Sequence, residues 1–146
     1  MEDPFLLFQT LSYRLHLLHK VSDLNSQRAY MRETGLSLSD GRSLIAIGTL
    51  KRMSVKDLAQ HSNLNRGQAS RAAQALVDKG LVHKQDSVED ARGVVLTLTP
   101  AGQEACRKIL KVVQKRNEAI FGCLSEKEQE VLSHLVDRLI QHNLTL

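Results

Sequence analysis

Apolar residues recur every three or four positions along most of this chain, and switch to every second position in one stretch only. Phe8, Leu11, Leu15 and Leu18 form one such stripe. They predict a helix starting near Pro4, a residue suited to a first helical turn, and running to about Arg32. The Gly35 region breaks the pattern. Ser37 stands three before Asp40, the spacing of a capping box, and predicts a second helix through Leu44, Ile45, Ile47 and Leu50. Ser54 and Asp57 repeat that spacing ahead of Leu58 and Ala59, for a short third helix. Asn65 and Gln68 repeat it in amide form. They open a fourth helix that turns Ala69, Ala72, Ala73 and Leu76 inward and stops at Gly80.

The period then becomes two. Leu81 to Gln85 and Val94 to Thr99 read as strands, with a connecting loop from Gln85 to Gly93. Thr99-Pro100 supplies an N-cap and a proline at the first helical position, predicting a helix to about Cys123. Ser125 and Glu128 cap a last helix with Val131, Leu132, Leu135, Val136, Leu139 and Ile140 on one side. The expected fold is mainly α with a small β-hairpin, in a single domain spanning 1–146. Residues 37–99 form a winged helix-turn-helix core, with outer helices at 4–34 and 100–144. Those outer helices carry more apolar stripe than the small core beside them needs.

The stretch from Ser54 to Thr99 thus runs helix, tight turn, helix, two-stranded ribbon. This is the layout that places one helix in a DNA groove, the shorter helix bracing it and the turn fixing the angle between them. Asn63 sits in the turn, where asparagine tolerates left-handed backbone. Leu58, Leu64 and Leu76 are placed to bury the inner faces. The outward residues of the fourth helix are then Arg66, Gln68, Ser70, Arg71 and Gln74. Arginine can bridge guanine O6 and N7, and glutamine can bridge adenine N6 and N7. The helix N-termini at Ser54 and Asn65 can receive phosphates through free N–H groups. At the ribbon tip, Asp90 can hold Arg92 extended toward a narrow minor groove.

Charge adds to this picture. The 146 residues carry a net +4, which permits a polyanionic partner. Between Gln60 and Lys84, the cations Arg66, Arg71, Lys79 and Lys84 against Asp78 alone leave +3, so most of the excess lies in this segment. Aromatics are only 3%, so aliphatic side chains must fill the core. If one helix holds both Cys106 and Cys123, they lie about 25 Å apart and cannot pair. A reducing compartment is the simplest reading. No segment approaches a membrane span, and the acidic Met-Glu-Asp-Pro start lacks the basic lead of a secretory signal, so a cytoplasmic protein is expected. No nucleophile elbow and no phosphate-binding glycine loop appears, and no enzymatic activity is expected. A winged helix can also dock proteins without touching DNA, and that alternative stays open.

These residues resemble the MarR family of bacterial transcriptional regulators over nearly the whole chain. The resemblance is strongest at Leu58-Ala59, Asn65-Arg66, Ser70-Arg71, Leu76 to Val82, and Asp90 to Gly102. The family wing reads Asp-Arg-Arg, followed by a strand ending Leu-Thr-x-x-Gly. Here the wing reads Asp90-Ala91-Arg92 and the strand ends Leu98-Thr99-Pro100-Ala101-Gly102, so Ala91 replaces the first wing arginine. The resemblance implies a homodimer formed by the first helix and the last two. It implies a palindromic double-stranded DNA operator, repression, and release by a small phenolic or aromatic carboxylate ligand in a crevice between the dimer helices and the winged domain. No cofactor is expected. Candidate ligand residues are Tyr13, Arg14 and His16 on the first helix and Gly41 and Arg42 on the second. Gly41 stands where the family often has a bulky aromatic. It would either leave room for a ligand or let two helices pack closely. His16 and His19 are three apart, a weak metal signal, and no cysteine stands early in the first helix, where peroxide-sensing members carry one.

Overall fold

The computed structural model describes residues 6–87 and 93–146. Helix α1 (Leu6–Gln9) and helix α2 (Leu11–Thr34) occupy the stretch expected to form one helix. The break lies at Thr10, which takes an extended backbone, donates its hydroxyl to Leu7 O at 2.8 Å and accepts the amide of Tyr13. A hydroxyl that can cap a new helix competes with continuing the old one. The expected start at Pro4 lies outside the described residues. Gly35, with φ of 72°, ends α2 in the left-handed conformation that glycine adopts without strain.

Helix α3 (Leu38–Leu50) is capped by Ser37, α4 (Val55–His61) by Ser54 and α5 (Arg66–Asp78) by Asn65. The boxes at Ser54/Asp57 and Asn65/Gln68 close in both directions, whereas Ser37 only accepts from Asp40 N. Strands β1 (Val82–Asp86) and β2 (Val94–Leu98) pair antiparallel, with Val82 opposite Leu98 and Lys84 opposite Leu96. Helix α6 (Pro100–Phe121) and helix α7 (Glu126–Leu144) complete the order.

Two compact units divide within α6, one ending at Val112 and one from Val113 to Leu146. The core of the first is aliphatic: Leu44 and Ile47 of α3, Leu58 of α4, Leu76 of α5, Leu96 of β2 and Ile109 of α6 are fully buried. Ala69, Ala72 and Ala73 lie inward as the periodicity predicts, while Leu64 is only half-buried. Two long-range features hold the wing to this core. Met53, between α3 and α4, exchanges backbone hydrogen bonds with Leu96, adding a bridge to the ribbon. At the other end Thr99 donates its hydroxyl to Gly80 O at 2.7 Å and accepts the amide of Gly102 at 3.0 Å. A Cβ on Gly102 would lie 2.0 Å from Leu81 O, so only glycine permits α6 to start this close to the end of α5.

The second unit is a helical hairpin whose turn is tied by Gln129, which donates to Phe121 O and Leu124 O. Helix α6 ends at Phe121, so Cys106 and Cys123 do not share one continuous helix as expected. Both thiols are free, Cys106 buried in the first unit and Cys123 exposed in the turn of the second. No side chain of α7 is buried, and Val131, Leu135, Leu139 and Ile140 are about half exposed. The same holds in the first unit for Leu11, Leu15 and Leu18 of α2, at 69%, 55% and 50% exposure. Among the described residues no helix is long and apolar enough to cross a membrane.

Candidate nucleic-acid interface

Two short capped helices and the turn between them make the site. Helix α4 ends as Ser62 donates its amide to Leu58 O, and Asn63 follows with φ of 55°. Leu64 then donates back to Ala59 O, closing the turn onto α4. The chain re-enters a helix at once, because Asn65 is already extended and capped. The left-handed residue is thus the pivot that sets α5 across α4.

Helix α5 buries Ala69, Ala72, Ala73 and Leu76 and leaves Arg66, Gln68, Ser70, Arg71 and Gln74 exposed. Small alanines let the helix sit close to the core while its polar face stays clear. Arg71 reaches back one turn, its Nη1 lying 3.3 Å from where a Cβ on Gly67 would be. The two glutamines are already engaged. Gln68 Oε1 accepts Asn65 N at 3.0 Å, and Gln74 Nε2 donates to Asp78 Oδ1 at 2.8 Å.

The amides of Ser54 and Asn65 are not free, contrary to expectation. Asp57 Oδ2 and Gln68 Oε1 accept them. A phosphate at these helix ends would meet the amides of residues 55, 56, 66 and 67, aided by the positive end of each helix dipole. Lys84 is exposed on β1 beside exposed His83. Asp90 and Arg92, the wing-tip candidates, lie outside the described residues.

The candidate ligand residues are distributed along α2 and α3. Tyr13 packs edge-on against Phe8, with ring centroids 5.0 Å apart. Arg14 and His16 are exposed. Gly41 is buried, and a Cβ there would lie 2.5 Å from the Tyr30 ring, which fits the close-packing alternative for this glycine. Arg42 pairs with Asp23 at 2.9 Å, and His19 approaches the other oxygen of that carboxylate at 3.2 Å. A carboxylate arriving at Arg42 would therefore compete with Asp23. Burial pushes the Tyr30 phenol up from its ordinary pKa; Arg42 opposes this shift and Asp23 adds to it. Among the described residues no three histidines, cysteines or acids gather as a metal site.

A cleft of about 600 Å³ opens elsewhere, between the C-terminal half of α3, β2 and α6. Ile45, Leu98 and Leu110 give it apolar walls, Lys51, Gln103 and Arg107 give it polar ones, and none of the five candidates lines it. Arg107 is held by Glu104. Gly48 opens this wall, since a Cβ there would press at 3.0 Å on both Cys106 Sγ and Leu98. Burial pushes the Cys106 thiol up from its ordinary pKa, toward the unreactive protonated form. Lys51 and Arg107 were not foreseen. They are 56 positions apart in sequence, and only the packing of α3 on α6 makes them neighbours of one space.

Residues 34–93, which hold α3, α4, α5 and β1, match the family model described as MarR family. The chain is 25% identical over 139 residues to the HTH-type transcriptional regulator BilQ of Clostridium symbiosum, covering 95% of this chain and 92% of that protein. The fold is shared with a cysteine-to-serine mutant of MarR from E. coli complexed with operator DNA, at a TM-score of 0.83 and 22% identity, over 94% of this chain and 99% of that one. It is also shared with BpsR of Bordetella bronchiseptica, solved in connection with regulation of its DNA binding by 6-hydroxynicotinic acid. There the TM-score is 0.74 and the identity 16%, over 86% of this chain and 98% of that one.

Proposed function

We propose that this protein is a MarR-family transcriptional regulator that binds a palindromic operator as a homodimer, one α5 helix entering the major groove at each half-site. The observation that carries the reading is α5 itself: a helix capped at its N-terminus, packed through alanines, with two arginines and two glutamines on its open face. Two such helices need to sit about 34 Å apart to meet successive turns of B-DNA. The half-exposed leucines of α2 and the uncovered apolar side of α7 favour a second copy of the chain as their cover. Repression follows from occupancy of the operator and is part of the same proposal. Arg92, read as entering the minor groove, and Lys84 on β1 belong to it as DNA contacts.

Ligand control is the further part of the reading. The cleft under α3 combines apolar walls with Lys51 and Arg107, a composition suited to an aromatic acid. The hydroxynicotinate control of BpsR, a protein of the same fold, favours this class of effector.

The DNA reading predicts that affinity for an operator fragment falls steeply as salt rises, because each phosphate contact releases counterions. It also predicts that Arg71→Ala costs about 1–3 kcal/mol and relaxes base preference. Fluorescence anisotropy between 50 and 200 mM salt, ~10³-fold weakening being expected for a MarR dimer on six or more phosphates, measures the first. Weak binding that ignores salt would instead favour a protein-docking winged helix.

A further inference from the structure

The capping box at the start of α5 has a consequence for base reading that rests on the DNA-binding proposal and sharpens it. Asn65 N is a backbone donor, so the Gln68 atom 3.0 Å from it must be the carboxamide oxygen. The reciprocal bond, Gln68 N to Asn65 Oδ1 at 2.8 Å, locks the pair from the other side. Gln68 therefore turns its oxygen back over the helix end and holds its –NH₂ group as the part left to offer. Residue 68 lies in the first turn of α5, the end of a recognition helix that reaches base edges, and its side chain is exposed.

A glutamine that bridges adenine must present oxygen and nitrogen side by side, one to N6 and one to N7. In this chain that posture would break the cap. A glutamine that offers only –NH₂ finds two adjacent acceptors on guanine, O6 and N7, and one on thymine, O4; adenine offers N7 but sets its N6 amino donor beside it, and cytosine presents only the N4 amino donor. We propose that Gln68 reads a keto base, guanine or thymine, at one position of each half-site, its oxygen being committed to Asn65. Gln74 is held in the other sense. Its nitrogen is tied to Asp78, so its oxygen remains to accept. The two glutamines are thus unequal readers although the sequence writes them alike.

Gln68→Glu tests this, because a carboxylate keeps the acceptor that caps Asn65 while removing the –NH₂ donor. The full-length chain and this variant would each select duplexes from a randomised DNA pool, with thermal melting run alongside. Wild type should enrich G or T over A or C at one position per half-site. Gln68→Glu should melt at or above the wild-type temperature and shift that one position to C or A, by roughly tenfold in relative affinity. Gln68→Ala should lose the preference at that position and keep it elsewhere. An unchanged base preference in both variants overturns the proposal. So does an evenly weaker enrichment of all sequences, which would place the –NH₂ on a phosphate. Failure of the wild type to enrich any duplex would sink the DNA reading itself, and is distinct from either result.

Discussion

Helix α5 has three alanines and one leucine on its inner side and buries them all, whereas the first half of α2 carries Leu11, Leu15, Leu17 and Leu18 and leaves each of them about half exposed or more. By hydrophobicity alone α2 would be the better core helix. The difference is in the partners. The alanines of α5 face α3 and α4 at close range, so a small side chain fills the space. The leucines of α2 project from a face that nothing in their own unit covers. Apolar character says that a face will be removed from water; it does not say which chain will remove it. The uncovered leucines of α7, in the second unit, repeat the lesson of α2.

The strongest way to break this contrast is to charge the open face. Leu15→Glu combined with Leu18→Glu should leave the helical circular dichroism of the winged unit intact and reduce the mass seen by light scattering to one chain. Operator affinity should fall by about a hundredfold or more, since two linked half-site contacts become two separate ones. An unchanged mass would mean that these leucines are not the covered face.

The closed side is sharpened by overfilling it. Ala73 is buried, at 1% exposure. Ala73→Leu should cost about 1–3 kcal/mol in urea unfolding, because a well-packed core must shift to admit the extra atoms. A neutral effect would show that the alanine face of α5 is less tightly held than its burial implies.

The smallest effect separates the two thiols. Cys123 is exposed and Cys106 is buried with its thiol pushed up, so at pH 8 an alkylating reagent should label Cys123 quickly and Cys106 only on unfolding. Mass spectrometry of timed samples reads both sites. The linked pH effect has a defined sign. Folding favours the protonated forms of Cys106 and Tyr30, whose ordinary values are 9.0 and 10.0. Their contribution to stability is complete below those values and declines as pH rises from them through the raised ones. Melting temperature should therefore be flat around neutrality, as far as these groups are concerned, and drop in alkali.

Much of this protein could be read from its residues in order. The caps at Ser54, Asn65 and Ser125 are legible because a cap is made by residues three apart, and the backbone between them has no freedom to separate them. The inward set of α5 is legible for the same reason, since 3.6 residues per turn fixes which side chains share a face. Thr10 shows the limit. Its hydroxyl can cap a helix or ride within one, and the leucine periodicity continues across it, so the break it causes did not show in the pattern.

What the sequence determined by itself is local: where helices α3 to α7 start, which faces are apolar, which two segments form strands, and a concentration of positive charge around α5. These follow from geometry within a few residues. Only the tertiary structure decided that Met53 pairs with Leu96, that Gly102 lies against Leu81, that Gly41 receives the Tyr30 ring, and that Lys51 and Arg107 share a cleft. Each joins residues between 11 and 56 positions apart. Such a meeting depends on the packing of whole helices, which is set by the sum of many side-chain fits and leaves no period in the chain to read.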